Sequence, residues 1–394
     1  MGKKNYKTSY FLMQSCYWAL SGIIFGFTAV YLQEKQYTNY QIGVIFAAGN
    51  IVGCVAQPLI AGHIDKNSKT LLRYILSTLA LSLALMLGVL FLPSACLPLS
   101  AAFVLLIAGN VLLQPLCISL CLYLNALGSD ISFSTARALG SFSYALTSVV
   151  LGVLIERVSA AAMPVSYILI SAVFGALALY CTLGVKPGNM DGTPHPSAAE
   201  KPSGFIEFIR ENKRFAFFLL GTSLLYFTHS LLGNFMIEFV RNVGGNSSDL
   251  GSILAFMTLT EVPVMLLFSR LTKRFSSASL MRFAVIMFTV KELAIFLASS
   301  VAMLYAAEAL QAFSFAIFVP ASVRYVSEVI EKRNSAKGQT YITAVISLAS
   351  IFASLIGGAL LDSVGAKAAL FIGVLVSAAG TLVSACAIKK SAVN

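Results

Sequence analysis

The sequence predicts an all-α membrane protein of twelve transmembrane helices in two six-helix halves, and three observations predict it. Of 394 residues, 58% are hydrophobic and only 11% are charged, whereas a soluble domain carries about 25% charged residues. The apolar residues fall in runs of about 20, the length that crosses a hydrocarbon core about 30 Å thick. The basic residues sort by loop. Backbone groups in lipid must be satisfied within their own segment, which makes the runs helices, and the short alternating strands of a membrane barrel are missing from the pattern.

Taken in order, helices are expected over about 10–32, 41–60, 71–92, 97–126, 138–155, 162–183, 215–239, 250–268, 280–299, 301–325, 340–361 and 366–388. Twelve crossings put both termini on one side. Roughly 22 lysines and arginines fall there, from Lys3, Lys4 and Lys7 to Lys389 and Lys390, against 4 on the other side (Lys35, Arg157, Arg241 and Lys367). Basic loops stay cytoplasmic, so both termini are expected there, in a bacterial cytoplasmic (inner) membrane. The net charge of +11 therefore needs no nucleic-acid partner, because no soluble domain gathers it.

The first apolar run follows basic residues but is too long for a signal core and lacks a small-residue cleavage pattern, so it is expected to remain as the first helix. The seven cysteines fall in or near helices and read as packing residues. Cys117 and Cys121 share a helix face without a histidine or carboxylate beside them, and no metal is expected. Residues 184–213 are rich in Pro, Gly and Ser and read as a cytoplasmic linker between a bundle over 1–183 and a bundle over 214–394. Within it, His195 reads as solvated, while Phe205, Ile206, Phe208 and Ile209 among Glu207, Arg210, Glu211 and Lys213 predict a short amphipathic helix along the cytoplasmic surface.

The halves read as repeats. Gly152 and Glu156 in GVLIERVSAAA correspond to Gly358 and Asp362 in GALLDSVGAKA, each 206 residues on, and Pro58 corresponds to Pro263, 205 residues on. A constant offset in two separate pairs of helices predicts two halves of parallel topology about a central site.

Lys291, Glu292 and Glu308 stand inside the most informative stretch, TVKELAIFLASSVAMLYAAEALQAFS. A charge near the middle of a bilayer costs about 2.5–3.5 kcal/mol on insertion scales, so such residues are expected to face a protein interior or a wet path. Glu292 lies about 100° around the helix from Lys291 and is expected to make a separate contact or to reach toward the outside.

This arrangement resembles the major facilitator superfamily. QPLIAGHIDKNSKTLLR, between the second and third helices, looks like the superfamily's cytoplasmic gating motif, with Asp65 and Lys66 in its acidic and basic positions; His63 and Ile64 depart from the usual small residues. Within the superfamily, GVIFAAGN and STARALGSFSYA are similar to the lactose permease group and its oligosaccharide and nucleoside proton symporters. The resemblance places Arg137 and Tyr144 at the sugar-binding arginine and the ring-stacking tryptophan. Glu261 falls at the essential carboxylate of the eighth helix, Lys291 at the arginine of the ninth, and Gln311 at the histidine of the tenth.

The departures matter too. Ile118 and Ser119 replace a carboxylate of the fourth helix, Ser314 replaces the proton-carrying carboxylate of the tenth, and Glu308 replaces a lysine, which allows an ion pair with Lys291. The resemblance implies a secondary active transporter of a small polar organic solute, a sugar or related compound, driven by a proton gradient through alternating access. It implies no cofactor, and a monomer with membrane lipids around it.

A carboxyl changes its affinity for protons as a cation approaches or leaves. Glu261, Glu308 and Lys291 are therefore the candidates for proton coupling, and Arg137, Tyr144, Glu261, Gln311, Trp18, His229 and Asn234 for substrate binding. Buried amides and aromatic faces suit hydroxyl-rich solutes. No P-loop or HExxH supports an enzyme. A proton-driven efflux antiporter of amphiphilic compounds, and a membrane sensor that keeps the fold without transporting, remain as alternatives.

Overall fold

The computed structural model describes residues 6–66, 70–126, 128–184, 205–331 and 334–388, and over these the chain is helical with no strand. The helices are α1 (Lys7–Glu34), α2 (Asn39–Lys66), α3 (Leu71–Val89), α4 (Leu97–Ala126), α5 (Phe133–Arg157), α6 (Ala162–Gly184), α7 (Phe205–Glu211), α8 (Lys213–Asn242), α9 (Ser247–Arg274), α10 (Ser277–Leu297), α11 (Val301–Glu308), α12 (Phe315–Val329) and α13 (Ser335–Ala387). Among the described residues, ten helical segments are long and apolar enough to cross a membrane. The last of them, Lys337–Ala387, has 51 residues, about 75 Å of helix and far more than one crossing needs. It is two crossings joined at Gly365, whose φ of +79° and ψ of 169° break the helix. α10 is the remaining crossing, left out of the ten because Arg282, Lys291 and Glu292 all fall within its 21 residues. The result, among the described residues, is a fold of twelve crossings.

Outward-facing apolar side chains give the same answer locally. Leu59, Leu122, Leu266 and Leu382 are exposed on four different helices, a distribution that hydrocarbon tolerates and water does not.

The chain forms two compact units. One is Met1–Pro194 with Asn246–Ala255, and the other is His195–Gly245 with Phe256–Asn394. In the first unit, Gly152 of α5 and Gly251 of α9 bring two backbones together, since a Cβ on Gly152 would lie 3.1 Å from the Gly251 Cα. Beside this contact, Glu156 accepts a hydrogen bond from the Ser247 amide at 3.2 Å. It thereby satisfies one of the free N–H groups that open α9.

α2 and α9, the second and eighth crossings, also start alike. The Gln41 amide donates to Thr38 Oγ1 while Gln41 Oε1 accepts from the Thr38 amide. Asn246 and Asp249 exchange the same pair of bonds at α9. Such reciprocal capping boxes fix a helix start, and their recurrence adds local detail to the repeat read from Gly152 and Pro58.

The second unit is built on aromatic packing. Phe208, Phe215, Phe218, Tyr226, Phe288, Phe318 and Tyr325 are buried in one core. α7 is the amphipathic helix expected over 205–213, but Phe208 is fully buried against Phe215 and Tyr341. Phe208 and Ile209 are therefore taken up by this core. The side chains of Phe205 and Ile206, with His195 and most of the linker expected over 184–213, lie outside the described residues.

Gly365 supplies a direct test of this architecture. Its backbone lies where only glycine is comfortable, and nothing stands within 4 Å of the place a Cβ would occupy, so Gly365→Ala is expected to cost about 1–3 kcal/mol through backbone strain alone. Gly175→Ala is the control, because that position in α6 has the same open space with no positive φ. Thermal unfolding in detergent should show a lowered midpoint for the first and an unchanged or raised one for the second.

Candidate functional site

The tenth crossing is broken where the polar residues lie. α11 ends at Glu308, a 3₁₀ turn spans Ala309–Ala312, and helix resumes at Phe315 after Ser314 leaves helical geometry (φ −96°, ψ −89°). The cause is local. The Leu310 carbonyl accepts from the Phe313 amide at 3.0 Å, from the Ser314 amide at 3.1 Å and from the Ser314 hydroxyl at 3.1 Å. A serine that bonds back to the carbonyl four residues earlier bends a helix. Residues three apart eclipse in a 3₁₀ turn, which sets Glu308 and Gln311 one above the other toward α10.

Lys291 of α10 meets both. Its Nζ lies 3.0 Å from Glu308 Oε2 and donates to Gln311 Oε1 at 2.6 Å. The other end of the Gln311 amide donates to Glu261 Oε1 of α9 at 3.0 Å. Four side chains from the eighth, ninth and tenth crossings thus form one buried polar chain, Glu308–Lys291–Gln311–Glu261, with Glu261 the most exposed at 8%. The amide presents its oxygen to the ammonium and its N–H to the carboxylate, so Lys291 and Glu261 are linked through one side chain. The ion pair expected between Lys291 and Glu308 is present.

His229 of α8 lies in an aromatic cage. Its ring stacks on Phe315 at 5.3 Å and meets Tyr226 and Phe288 edge-on at 5.6 and 5.4 Å. Asn234, also on α8, is engaged elsewhere, its amide donating to Ser354 Oγ of α13 at 2.8 Å.

The first unit gathers the other candidates. The Arg137 guanidinium lies 3.7 Å from the centre of the Trp18 ring and donates to Ser141 Oγ at 2.6 Å. Gly140 gives the indole its room, because a Cβ there would run into Trp18. Two turns along the same face of α5, the Tyr144 ring lies 3.2 Å from where Gly22 would carry a Cβ. Arg137, Trp18 and Tyr144 therefore share the seam between α1 and α5. The gating pair expected at Asp65 and Lys66 ends α2, and both side chains lie outside the described residues.

Of the two outcomes expected for Glu292, a separate contact or a reach outward, the second is excluded. Glu292 does not reach outward: it is fully buried, held between α10 and the later arm of α13 with the Ser377 hydroxyl beside it. The helical angle from Lys291 turned it away from the polar chain, toward a neighbour that the sequence does not reveal. The Gln311 bridge was equally hidden, because its partners come from three separate crossings.

The buried ion pair makes a stability prediction. Removing one member leaves a buried charge alone and costs about 3–5 kcal/mol, whereas replacing both with apolar residues is close to neutral. Glu308→Leu should lower the unfolding midpoint markedly, and combining it with Lys291→Leu should restore most of the loss.

Comparison with known proteins agrees with this architecture. The model of the MFS_1 like family matches residues 4–372. An uncharacterized transporter of Bacillus subtilis (strain 168), YwbF, is 22% identical over 366 residues, covering 91% of this chain and 88% of that protein. Among solved structures, the nucleoside transporter NupG superposes with a TM-score of 0.71 at 14% identity, covering 98% of each chain. A bacterial homolog of the human lysosomal transporter Spinster, inward-facing and unoccupied, gives 0.65 at 15% identity over 98% of this chain and 96% of its own. At such identities the likeness shows the fold.

Proposed function

The chain belongs to the MFS_1 like family, a multi-pass membrane transporter and not an enzyme, and from that premise we propose that it moves a small polar organic solute, a sugar or related compound, by proton-coupled alternating access. The buried chain Glu308–Lys291–Gln311–Glu261 carries this reading. Such a pair, sealed inside a bundle where each ion loses its water, adds little net stability. A proton-coupled carrier has a use for it, because the affinity of a carboxyl for a proton changes when its cation moves.

In this scheme Glu308 neutralises Lys291 while Glu261 is held through Gln311. A solute hydroxyl that takes the place of the Gln311 amide on Glu261 or Lys291 separates the two ends, and proton binding at Glu261 accompanies solute binding. Polar groups that hold a hydroxyl-rich solute also reject analogues lacking those hydroxyls, since the site is left with unpaired polar atoms. The Arg137–Trp18–Tyr144 seam offers a cation, an indole face and a phenol of the kind that grips a sugar ring. Each proton moved down a potential of 100 mV supplies about 2.3 kcal/mol, which is enough to concentrate a solute. The setting proposed is the bacterial cytoplasmic membrane with both termini inside, the chain working as a monomer without a cofactor.

The test is uptake into proteoliposomes under an imposed inward proton gradient, with a panel of sugars and nucleosides chosen by thermal stabilisation of the purified protein. A ligand at 100 times its Kd adds about 2.7 kcal/mol of stability. Gradient-driven accumulation with alkalinisation outside is expected, and Glu261→Gln should abolish accumulation while leaving energy-independent exchange of labelled solute. Undiminished accumulation by Glu261→Gln would reject the role given to that carboxyl, and extrusion of an amphiphilic dye in place of uptake would reject symport.

A further inference from the structure

Glu292 stands one residue after Lys291 and belongs to a different polar system. Its side chain is fully buried, and neither carboxylate oxygen makes a hydrogen bond of ordinary geometry among the described residues. On the same face of α10, at spacings of four and three, lie Val285, Thr289 and Glu292. The later arm of α13 presents Ser377 and Thr381 to them. The Thr289 hydroxyl lies 2.8 Å from Ser377 Oγ and 2.9 Å from Thr381 Oγ1, and Thr381 donates to the Val285 carbonyl at 2.7 Å.

Counting protons along this line fixes its direction. A hydroxyl has one proton to give. Thr381 gives its proton to the Val285 carbonyl, so Thr289 is the donor to Thr381. Thr289 is then spent, and Ser377 must donate to Thr289. Ser377 faces Glu292 with only lone pairs left. An ionised carboxylate is acceptor-only and finds nothing there, whereas a protonated carboxyl donates its O–H to Ser377. A charged and unpaired carboxylate at full burial would be costly. The titratable groups around Glu292 are Lys291 and Glu308, which are paired with each other at 3.0 Å. α8 brings His229, which lies against Phe288 of α10, and α13 contributes hydroxyls at this level.

We propose that Glu292 is a proton-binding site in its own right, separate from the Glu308–Lys291–Gln311–Glu261 chain, with the hydroxyls of Ser377, Thr289 and Thr381 oriented so that Ser377 accepts from it. The hydroxyl line ends at the Val285 carbonyl, which accepts a hydrogen bond but takes up no proton, so the line holds the proton on the carboxyl and does not carry it onward. The site stands whether or not Glu261 has the transport role given above.

Infrared difference spectroscopy of the full-length protein in lipid vesicles tests the assignment. The carbonyl band of a protonated carboxyl is expected at neutral pH, retained in Glu261→Gln and lost in Glu292→Gln. Ser377→Ala should shift the band by removing its acceptor, and Thr289→Val should shift it too, because it frees the Ser377 hydroxyl to donate. Persistence of the band in Glu292→Gln overturns the assignment. So does failure of Glu292→Gln to fold, because a glutamine amide is the neutral isostere that donates the same bond. A band lost in Glu261→Gln and kept in Glu292→Gln moves the proton to the other system and leaves the transport reading intact.

Discussion

An ammonium group inside a bundle surrounded by hydrocarbon has to be given partners by the fold, and the pairing of Lys291 with Glu308 and Gln311 is the constraint around which the second unit is built. At 3.0 Å and an effective dielectric of about 20, the attraction between the two charges is about 5–6 kcal/mol. Removing each ion from water costs several kcal/mol, so the pair contributes little net stability. Two leucines would fill the space as stably. What leucines lack is a charge that can be exposed, exchanged or neutralised, and the proposed coupling uses that difference.

The backbone is fitted to this pair. A continuous α-helix would set Glu308 and Gln311 about 60° apart around its axis, whereas the 3₁₀ turn at Ala309–Ala312 stacks them. Ser314 enforces the turn through its hydrogen bond to Leu310. At this position the lactose permease group carries its proton-carrying carboxylate, so the departure noted in the sequence has a structural use. The serine shapes the segment that aims its neighbours Glu308 and Gln311 at Lys291.

Much of the fold was legible because the bilayer imposes a simple code. Apolar runs of fixed length gave the twelve crossings and left a short gap between the last two, and the structure puts the break at Gly365, in a backbone conformation that glycine adopts readily. Lys291, Glu292 and Glu308 stood out because their background is so apolar. The break in the tenth crossing was not legible: ALQAFS contains neither proline nor glycine, and a back-bonding serine looks like any other serine on a helix. Helical angle alone said that Glu292 and Lys291 face different ways, but not which helix Glu292 would meet. α7 showed a similar limit, because an amphipathic pattern reveals an apolar face without saying whether lipid or protein covers it.

Two polar systems on adjacent residues of one rigid helix have a mechanical consequence. Lys291 ties α10 to the broken tenth crossing and through Gln311 to α9, while Thr289 ties it to the later arm of α13. α10 lies between them, and the side chains of Lys291 and Glu292 leave it about 100° apart. A small rotation or slide of α10 that loosens the Lys291 contacts also changes the fit of Thr289 against Ser377 and Thr381. Packed interfaces of this kind switch between discrete arrangements instead of deforming smoothly, so the contacts on the two faces change together with the position of one helix. Charge on one side and hydroxyls on the other make α10 the element on which both systems bear.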